Sequence, residues 1–468
     1  MGSSYEPPPE NESFVPNLKR IIDLFVLILK RITYMSVLFI VLIMRLNELL
    51  PLLNEWWRSG SINRGKARSY KRMYFKDLLS RLDERQTVII TGLRRVGKTT
   101  LMYQAIEHLI SSGTEPKNIL YFTFDERVEE VLDVFKEFRK LTGTDWKTES
   151  TYVFLDEIQK HRNWSSKIKI LYDTHPNIKF VISGSATLKM EVDAMKDLAG
   201  RYFFIDMLPL SLKEFVELHM GREIENPDLF SDDIENLLGQ FIRKPYPEII
   251  AVEDETRVLE YIKSIVIEKV IFADLPQIKG NFRPEFANAL LNMFMSEPGM
   301  ILNLDNLAKD LKVSKSVLHE HMHYLEFARL IKIVKNFRPS VMAESRKMKR
   351  VYPYHISLTT PFKYHQEVGK ILECQIRTYL KLEHYWRKGN KEVDFLDVRG
   401  NEIIPIEVKW GKKIKTQVFK KMKVFMEKHR IHRGILIYGG NESYEHVLDG
   451  LQKVSVIPAT KILWDCGY

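Results

Sequence analysis

Gly92-Leu93-Arg94-Arg95-Val96-Gly97-Lys98-Thr99, followed by Thr100, is a G-x-x-x-x-G-K-[ST] run. Its glycines let successive backbone N–H groups turn inward around an anion. Lys98 brings a positive charge to the outer phosphates of a nucleoside triphosphate, and Thr99 offers a hydroxyl to Mg2+. Arg94 and Arg95 lie inside the loop, placed to touch phosphate or a neighbouring acid. The apolar run before the loop predicts a short buried strand over 87–90, and the pattern after it a helix over 100–110. A second apolar run, Tyr152 to Leu155, ends in Asp156-Glu157. Acids at the C-terminal end of such a strand sit where open α/β sheets bind ligands. Asp156 is expected to hold Mg2+ directly or through water, and Glu157 to orient and deprotonate the attacking water.

A third strand over 179–183 runs into Gly-Ser185-Ala-Thr. Ser185 or Ser183 is the candidate sensor of the γ-phosphate. Arg201 is the candidate arginine finger or phosphate sensor, acting in its own subunit or in a neighbour's. A second constellation lies in the last 130 residues. Glu373 falls on a helix predicted over 368–382, Asp394 opens a strand, and Glu407 and Lys409 stand two apart on the next. Residues two apart on a strand share a face, so a hairpin that sets Asp394 beside them gathers two carboxylates and a lysine. Asp394 and Glu407 are hard oxygen ligands for Mg2+ or Mn2+, and Lys409 can activate water or offset the charge of a phosphorane.

Positioning these residues takes several folded units, and the chain has the length for them at 468 residues. Its charge is +10, with 71 Lys and Arg against 61 Asp and Glu, which suits a polyanionic partner. Two cysteines, Cys374 and Cys466, exclude a disulfide framework and a four-cysteine zinc site, and point to a reducing, cytoplasmic setting.

Four features carry a resemblance: the loop itself, Leu-Asp-Glu-Ile-Gln159 with Trp164 behind it, Ser-Gly-Ser185, and Gly-Arg201-Tyr-Phe before Leu-Ser-Leu-Lys-Glu-Phe215. Together they resemble the archaeal and bacterial AAA-type ATPases of the AAA_14 class. Asn54-Glu-Trp-Trp57 looks like that family's opening, which implies that residues 1–45 are an addition to it. The C-terminal constellation resembles the PD-(D/E)xK nuclease fold in its DUF4143 form, with Val393 where a proline often stands. The resemblances imply ATP with Mg2+, a second Mg2+ or Mn2+ at the nuclease-like site, and duplex or branched DNA as partner. They also leave open a C-terminal domain that is folded but catalytically idle.

The expected architecture is α/β and multidomain: an N-terminal extension (1–53), a P-loop NTPase core of AAA type (54–212), a helical lid (213–282), a winged helix (283–338) and a restriction-endonuclease-like domain (339–468). Within the winged helix, helices are predicted over 286–295, 304–311 and from a Ser314 cap to about 327, then a strand over 330–334. The third helix would read a major groove with Lys315, Ser316, His319 and Glu320. His319, His321 and His323 are read as surface histidines. Basic stripes over 332–350 and 408–433 would neutralise phosphates. In the extension, Ile32 to Met44 is uncharged for only 13 residues, against about 20 for a membrane span. Three readings stand for it: a buried or interfacial helix, a membrane anchor through residues 20–50, or translation beginning at Met35 or Met44. Hence the expected location is cytoplasmic, with membrane association as an alternative, and a homo-oligomer is compatible with the AAA resemblance.

Overall fold

The computed structural model describes residues 45–124, 130–161, 163–184, 194, 196–278, 281–338, 348–362 and 367–467. Ser185 and residues 1–44 of the extension lie outside the described residues. The first helix, α1 (Leu46–Leu53), buries Leu49 and Leu50 in the core. That end of the 20–50 segment is therefore spent on packing. Among the described residues, no helix is long and apolar enough to cross a membrane.

Five strands form the first sheet: β1 (Thr87–Gly92), β2 (Ile119–Thr123), β3 (Thr151–Asp156), β4 (Ile178–Ser183) and β5 (Tyr202–Met207). All neighbours run parallel in the order β2-β3-β4-β1-β5. Every residue of β1 and β4 is buried, as expected of strands covered by helices on both faces. The crossover helices are α2 (Lys98–Ser111), α3 (Val131–Thr142) and α4 (Trp164–Thr174). Strand order reverses at β1, so the crevice that receives a ligand opens at the C-terminal end of this strand.

The exposed edge of β2 is closed by the chain's own opening segment. Asn54 donates to the Tyr121 carbonyl at 2.9 Å and accepts from its N–H at 2.6 Å. The Trp56 and Trp57 indoles both donate to the Ile119 carbonyl, at 3.1 and 2.8 Å. Such pairing removes the free backbone groups that would otherwise template another strand.

After α5 (Leu212–Met220) and α6 (Ser231–Arg243) a helical stretch from Glu255 passes into π-helical winding over Tyr261–Glu268 and Val270–Asp274. Then come α7 (Pro284–Ser296), β6 (Met300–Leu302), α8 (Leu304–Asp310), α9 (Lys315–Phe327), β7 (Ile331–Asn336) and β8 (Lys349–Pro353). Ser314 caps α9 by accepting from the Val317 N–H at 3.2 Å. His321 corrects the surface reading. It is buried, accepts from the Arg283 N–H at 3.2 Å and stacks on Phe282, because the inner face of α9 packs on α7.

The C-terminal segment supplies α10 (Val368–Tyr379), β9 (His384–Lys388), β10 (Lys391–Arg399), β11 (Glu402–Lys409), α11 (Thr416–His429), β12 (Arg433–Tyr438), β13 (Tyr444–Asp449), β14 (Gln452–Pro458) and α12 (Ala459–Asp465). Its strands join those before it in one nine-stranded sheet, β13-β14-β12-β11-β10-β9-β7-β8-β6. Backbone pairing of β7 with β9 thus runs straight across the division expected at residue 338. A buried polar chain ties this half to Tyr246 and Leu210, which lie outside it in sequence. Tyr246 Oη lies 3.3 Å from Ser357 Oγ, which meets His355 Nδ1 at 2.9 Å. His355 Nε2 meets Tyr379 Oη at 3.0 Å, and Tyr379 donates to the Leu210 carbonyl at 2.7 Å.

Candidate functional site

The phosphate loop is shaped by backbone before any side chain acts. Gly92 has φ +145°, and a Cβ there would stand 2.3 Å from the Met207 carbonyl oxygen. Gly97 adopts φ +98° with open space around it, and α2 begins at the next residue. Helix N–H groups therefore point into the loop, where an anion gains from them and from the helix dipole. Lys98 is 6% exposed and donates to the carbonyls of Gly92 and Leu93 at 3.1 and 3.0 Å. Burial pulls its ammonium below the ordinary lysine range, Glu157 and Asp156 pull it back up, and Arg94 and Arg329 push it down again.

Asp156, at the tip of β3, is the hub. Its carboxylate accepts from Thr99 Oγ1 at 2.6 Å, from Tyr121 Oη at 3.1 Å and from the Ser183 hydroxyl. Burial and the Glu157 charge raise its affinity for a proton, and the Ser183 and Thr99 hydroxyls oppose that. Glu157 sits in the left-handed region at φ 52°, a conformation that costs a non-glycine residue of order 1 kcal/mol and recurs at functional sites. Gln159 Nε2 donates to its carboxylate. A hydroxyl and a carboxylate oxygen at 2.6 Å, beside a loop of open N–H groups, are the donors that Mg2+ and a polyphosphate require. Thr99 and Asp156 fit the ion, and Gly92 to Thr100 fit the phosphates.

The loop arginines go to acids. Arg94 makes a two-pronged pair with Asp274 of the π-helical stretch, both contacts at 2.8 Å, and Arg95 pairs with Glu248 at 3.0 Å. Ser183 reaches Asp156, whereas Ser185 is outside the described residues. Arg201 is not brought to the loop. Its carbonyl accepts from Thr87 N–H at the start of β1, roughly 17 Å of strand away from Gly92. Its guanidinium pairs with Asp173 at 3.0 Å.

Two arginines that sequence reading passed over do reach this region. Arg72 is buried and donates to the loop carbonyl of Val96 at 2.7 Å, to Leu208 and Pro209 carbonyls at 3.0 and 3.1 Å, and to Glu214 at 2.6 Å. Arg329, just before β7, donates to Asp206 at 2.8 Å and to Thr91 Oγ1 at 3.4 Å. Only a one-residue turn at φ 58° marks Arg329 locally, and nothing in its sequence context does.

The C-terminal constellation converges as well. β10 and β11 pair antiparallel with Phe395 opposite Ile406. The β10–β9 register slips between Val393 and Leu396, and this irregularity re-aims Asp394. Lys409 Nζ lies 3.0 Å from Asp394 and 2.9 Å from Glu407. Asp394 also accepts from the Val408 N–H at 2.9 Å. Glu373 on α10 accepts from Lys370 at 2.7 Å and from Tyr352 at 3.2 Å. Burial and the Asp394 charge hold Glu373 above the usual carboxylate range, and the same two causes push Glu407 up to about 8. Among the described residues no group of three or more His, Cys, Asp or Glu is arranged to hold a metal. The Lys409 ammonium stands between the two carboxylates where an ion would.

Residues 84–216 match the AAA domain family AAA_14, residues 371–462 the domain family DUF4143, and residues 236–361 the domain family DUF8612, the last two of unknown function. The chain is 28% identical over 399 residues to the uncharacterized protein MJ1637 of Methanocaldococcus jannaschii, covering 76% of this chain and 81% of that one. It is 26% identical over 343 residues to MJ1544 of the same organism, covering 69% and 74%. Among solved structures, the Walker-type ATPase paby2304 of Pyrococcus abyssi aligns at a TM-score of 0.41 and 14% identity, over 63% of this chain and 97% of that one. The ORC2 protein of Aeropyrum pernix, in ADPNP and ADP complexes, aligns at 0.31 and 14%, over 64% and 96%.

Proposed function

We propose that this chain, whose residues 84–216 match the AAA_14 domain family and 371–462 the DUF4143 family, hydrolyses ATP at the phosphate loop and couples this to DNA handled by its C-terminal half. The observation that carries the ATPase part is Asp156 bonded to Thr99 at 2.6 Å with Glu157 beside it and Lys98 across the loop. Bound Mg2+ would screen the charge that gathers on the β/γ oxygens. Around it Lys98 holds the γ-phosphate, Gly92 to Thr100 cradle the chain of phosphates, and Glu157 orients water and takes its proton. Ser183 keeps Asp156 aimed. Arg201 meets a phosphate only from a neighbouring copy, so an arginine-finger role requires a homo-oligomer.

The order helix, strand, helix, helix and two-stranded hairpin over 284–353 supports a winged helix. The strand pair carrying Asp394, Glu407 and Lys409, faced by Glu373 on a helix, supports a nuclease-like domain. There Asp394 and Glu407 would hold a divalent ion once Lys409 swings aside, and Lys409 is exposed enough, at 37% of its side chain, to do so. One observation favours a second reading, a nucleotide-dependent signalling or defence switch with an idle C-terminal domain: the two carboxylates are already neutralised by Lys409.

The test is phosphate release by the full chain with linear duplex, single strand and four-way junction, at two salt concentrations. DNA-stimulated turnover, strongest at low salt, is the expected result. Turnover indifferent to every DNA contradicts the DNA part and favours the switch.

A further inference from the structure

A cleft of about 550 Å3 opens where the end of β5, helix α9 with strand β7, and the C-terminal end of α10 meet. It is basic. Arg329, Lys332, Lys335, Lys349, Arg377 and Lys381 line it against three acids, Asp206, Glu326 and Glu383. The acids are committed: Asp206 to Arg329 at 2.8 Å, Glu383 and Glu326 to Lys332. Lys335, Lys349 and Lys381 make no ion pair among the described residues, and they stand on three different elements around the rim. Arg377 lies deeper. It is 3% exposed, its Nη2 bonds the Tyr354 carbonyl and Thr378 Oγ1, and its Nε has no hydrogen-bond partner among the described residues. A buried guanidinium without a carboxylate is expensive unless an anion completes it.

We infer that this cleft holds a single-stranded stretch of nucleic acid, with phosphates on Lys335, Lys349 and Lys381 and one drawn in toward Arg377. The inference rests on the nucleic-acid reading above and names the surface that reading needs. Ammoniums spread along a rim match the phosphates of a chain better than the clustered phosphates of a free nucleotide. A cleft of about 550 Å3 is too small to take in a duplex, whose major groove alone is about 12 Å wide. Moreover, His319, expected to read a groove, lines the cleft instead, together with His323, Asp206 and Arg377. Lys315, expected to face outward to DNA, is paired with Asp305. The cleft wall also contains Arg329, which bonds Thr91 one residue before the phosphate loop. Strand binding and nucleotide turnover are thereby linked.

The experiment measures fluorescence anisotropy of labelled oligothymidylate, oligouridylate and a duplex of equal length with the full chain over a salt series. The wild type is expected to bind a single strand at least tenfold tighter than the duplex, and the stronger of the two single strands identifies the sugar recognised. Replacing Lys335, Lys349 and Lys381 together with Ala should weaken single-strand binding at least tenfold. It should also reduce the slope of log affinity against log salt by about 2, as loss of three single-strand phosphate contacts requires, and leave ATP turnover without nucleic acid unchanged. Undiminished single-strand binding by the triple variant overturns the cleft while sparing the DNA reading, as does wild-type preference for the duplex. Binding of no nucleic acid by the wild type sinks both.

Discussion

The molecule holds two sites built from the same parts, acids on strands and a lysine, and they are wired oppositely. At the phosphate loop, Lys98 gives its protons to the carbonyls of Gly92 and Leu93, while Asp156 is held by hydroxyls of Thr99, Ser183 and Tyr121. Acid and base are kept apart, so both remain available to an incoming Mg2+ and polyphosphate. At the β10–β11 pair, Lys409 lies on both carboxylates. That charge is satisfied internally, and an ion must compete with the ammonium. Preorganisation for a ligand thus shows in which partners the charged groups have, beyond which charged groups are present.

On nucleotide binding, the largest effect should come from Lys98→Ala. It removes the loop cation that donates to the Gly92 and Leu93 carbonyls, and ATP affinity measured by calorimetry should fall by about 100-fold, or about 2.7 kcal/mol. An unchanged affinity would mean the loop binds through backbone alone. Next, Asp394→Ala and Lys409→Ala should each cut Mn2+-dependent DNA nicking by roughly 100-fold or more, as expected for loss of a ligand or proton-handling group. ATP turnover should stay within about twofold, because Lys409 is engaged with Asp394 and Glu407 of the C-terminal sheet. Nicking retained by both variants would assign it to a contaminant and leave the second site as scaffold.

The smallest effect concerns the joint between the two halves. Tyr379 donates to the Leu210 carbonyl, so His355 must donate to Tyr379 through Nε2 and accept from Ser357 at Nδ1. Burial, then the neighbouring Arg377 charge, hold His355 at about 3. The unfolded chain takes up this proton near pH 6.5 and the folded chain does not, so stability falls as pH drops from 6.5 toward 3. At pH 5 the loss is about 2 kcal/mol relative to neutral pH. In His355→Gln, chemical denaturation at pH 5 and pH 8 should differ by less than in the wild type by about that amount. An identical difference would place the acid sensitivity elsewhere.

What could be read in advance follows from locality. The loop, Asp156, the Ser314 cap and the Glu407–Lys409 spacing are set by residues adjacent in sequence, and the backbone rules of strand and helix carry them into place. Arg72, Tyr121 and Arg329 act on the phosphate-loop region from 24, 35 and 238 residues away from their partners Val96, Asp156 and Thr91. No periodicity encodes such meetings. β2 carries no motif and β5 only the Tyr-Phe of the Gly-Arg201-Tyr-Phe run, so neither is predicted as a strand, although β2 delivers Tyr121 and β5 delivers Asp206. In sequence, Asn54, Trp56 and Trp57 read only as a family-like opening; their physical task is to close the β2 edge. Arg201 shows the converse, since a position after a glycine does not say which end of the sheet it occupies, and only the pairing of its carbonyl with the Thr87 N–H narrows the expected role to a neighbouring copy's site.

The central claim is that Glu157, held at φ 52° beside Asp156, drives hydrolysis without contributing to binding. Single-turnover release of γ-phosphate from Mg-ATP by Glu157→Gln tests it most directly. The account predicts ATP affinity within about threefold of wild type, with the chemical step slowed by roughly 100- to 10,000-fold. A wild-type rate in this variant would contradict it and require another base at the phosphate loop.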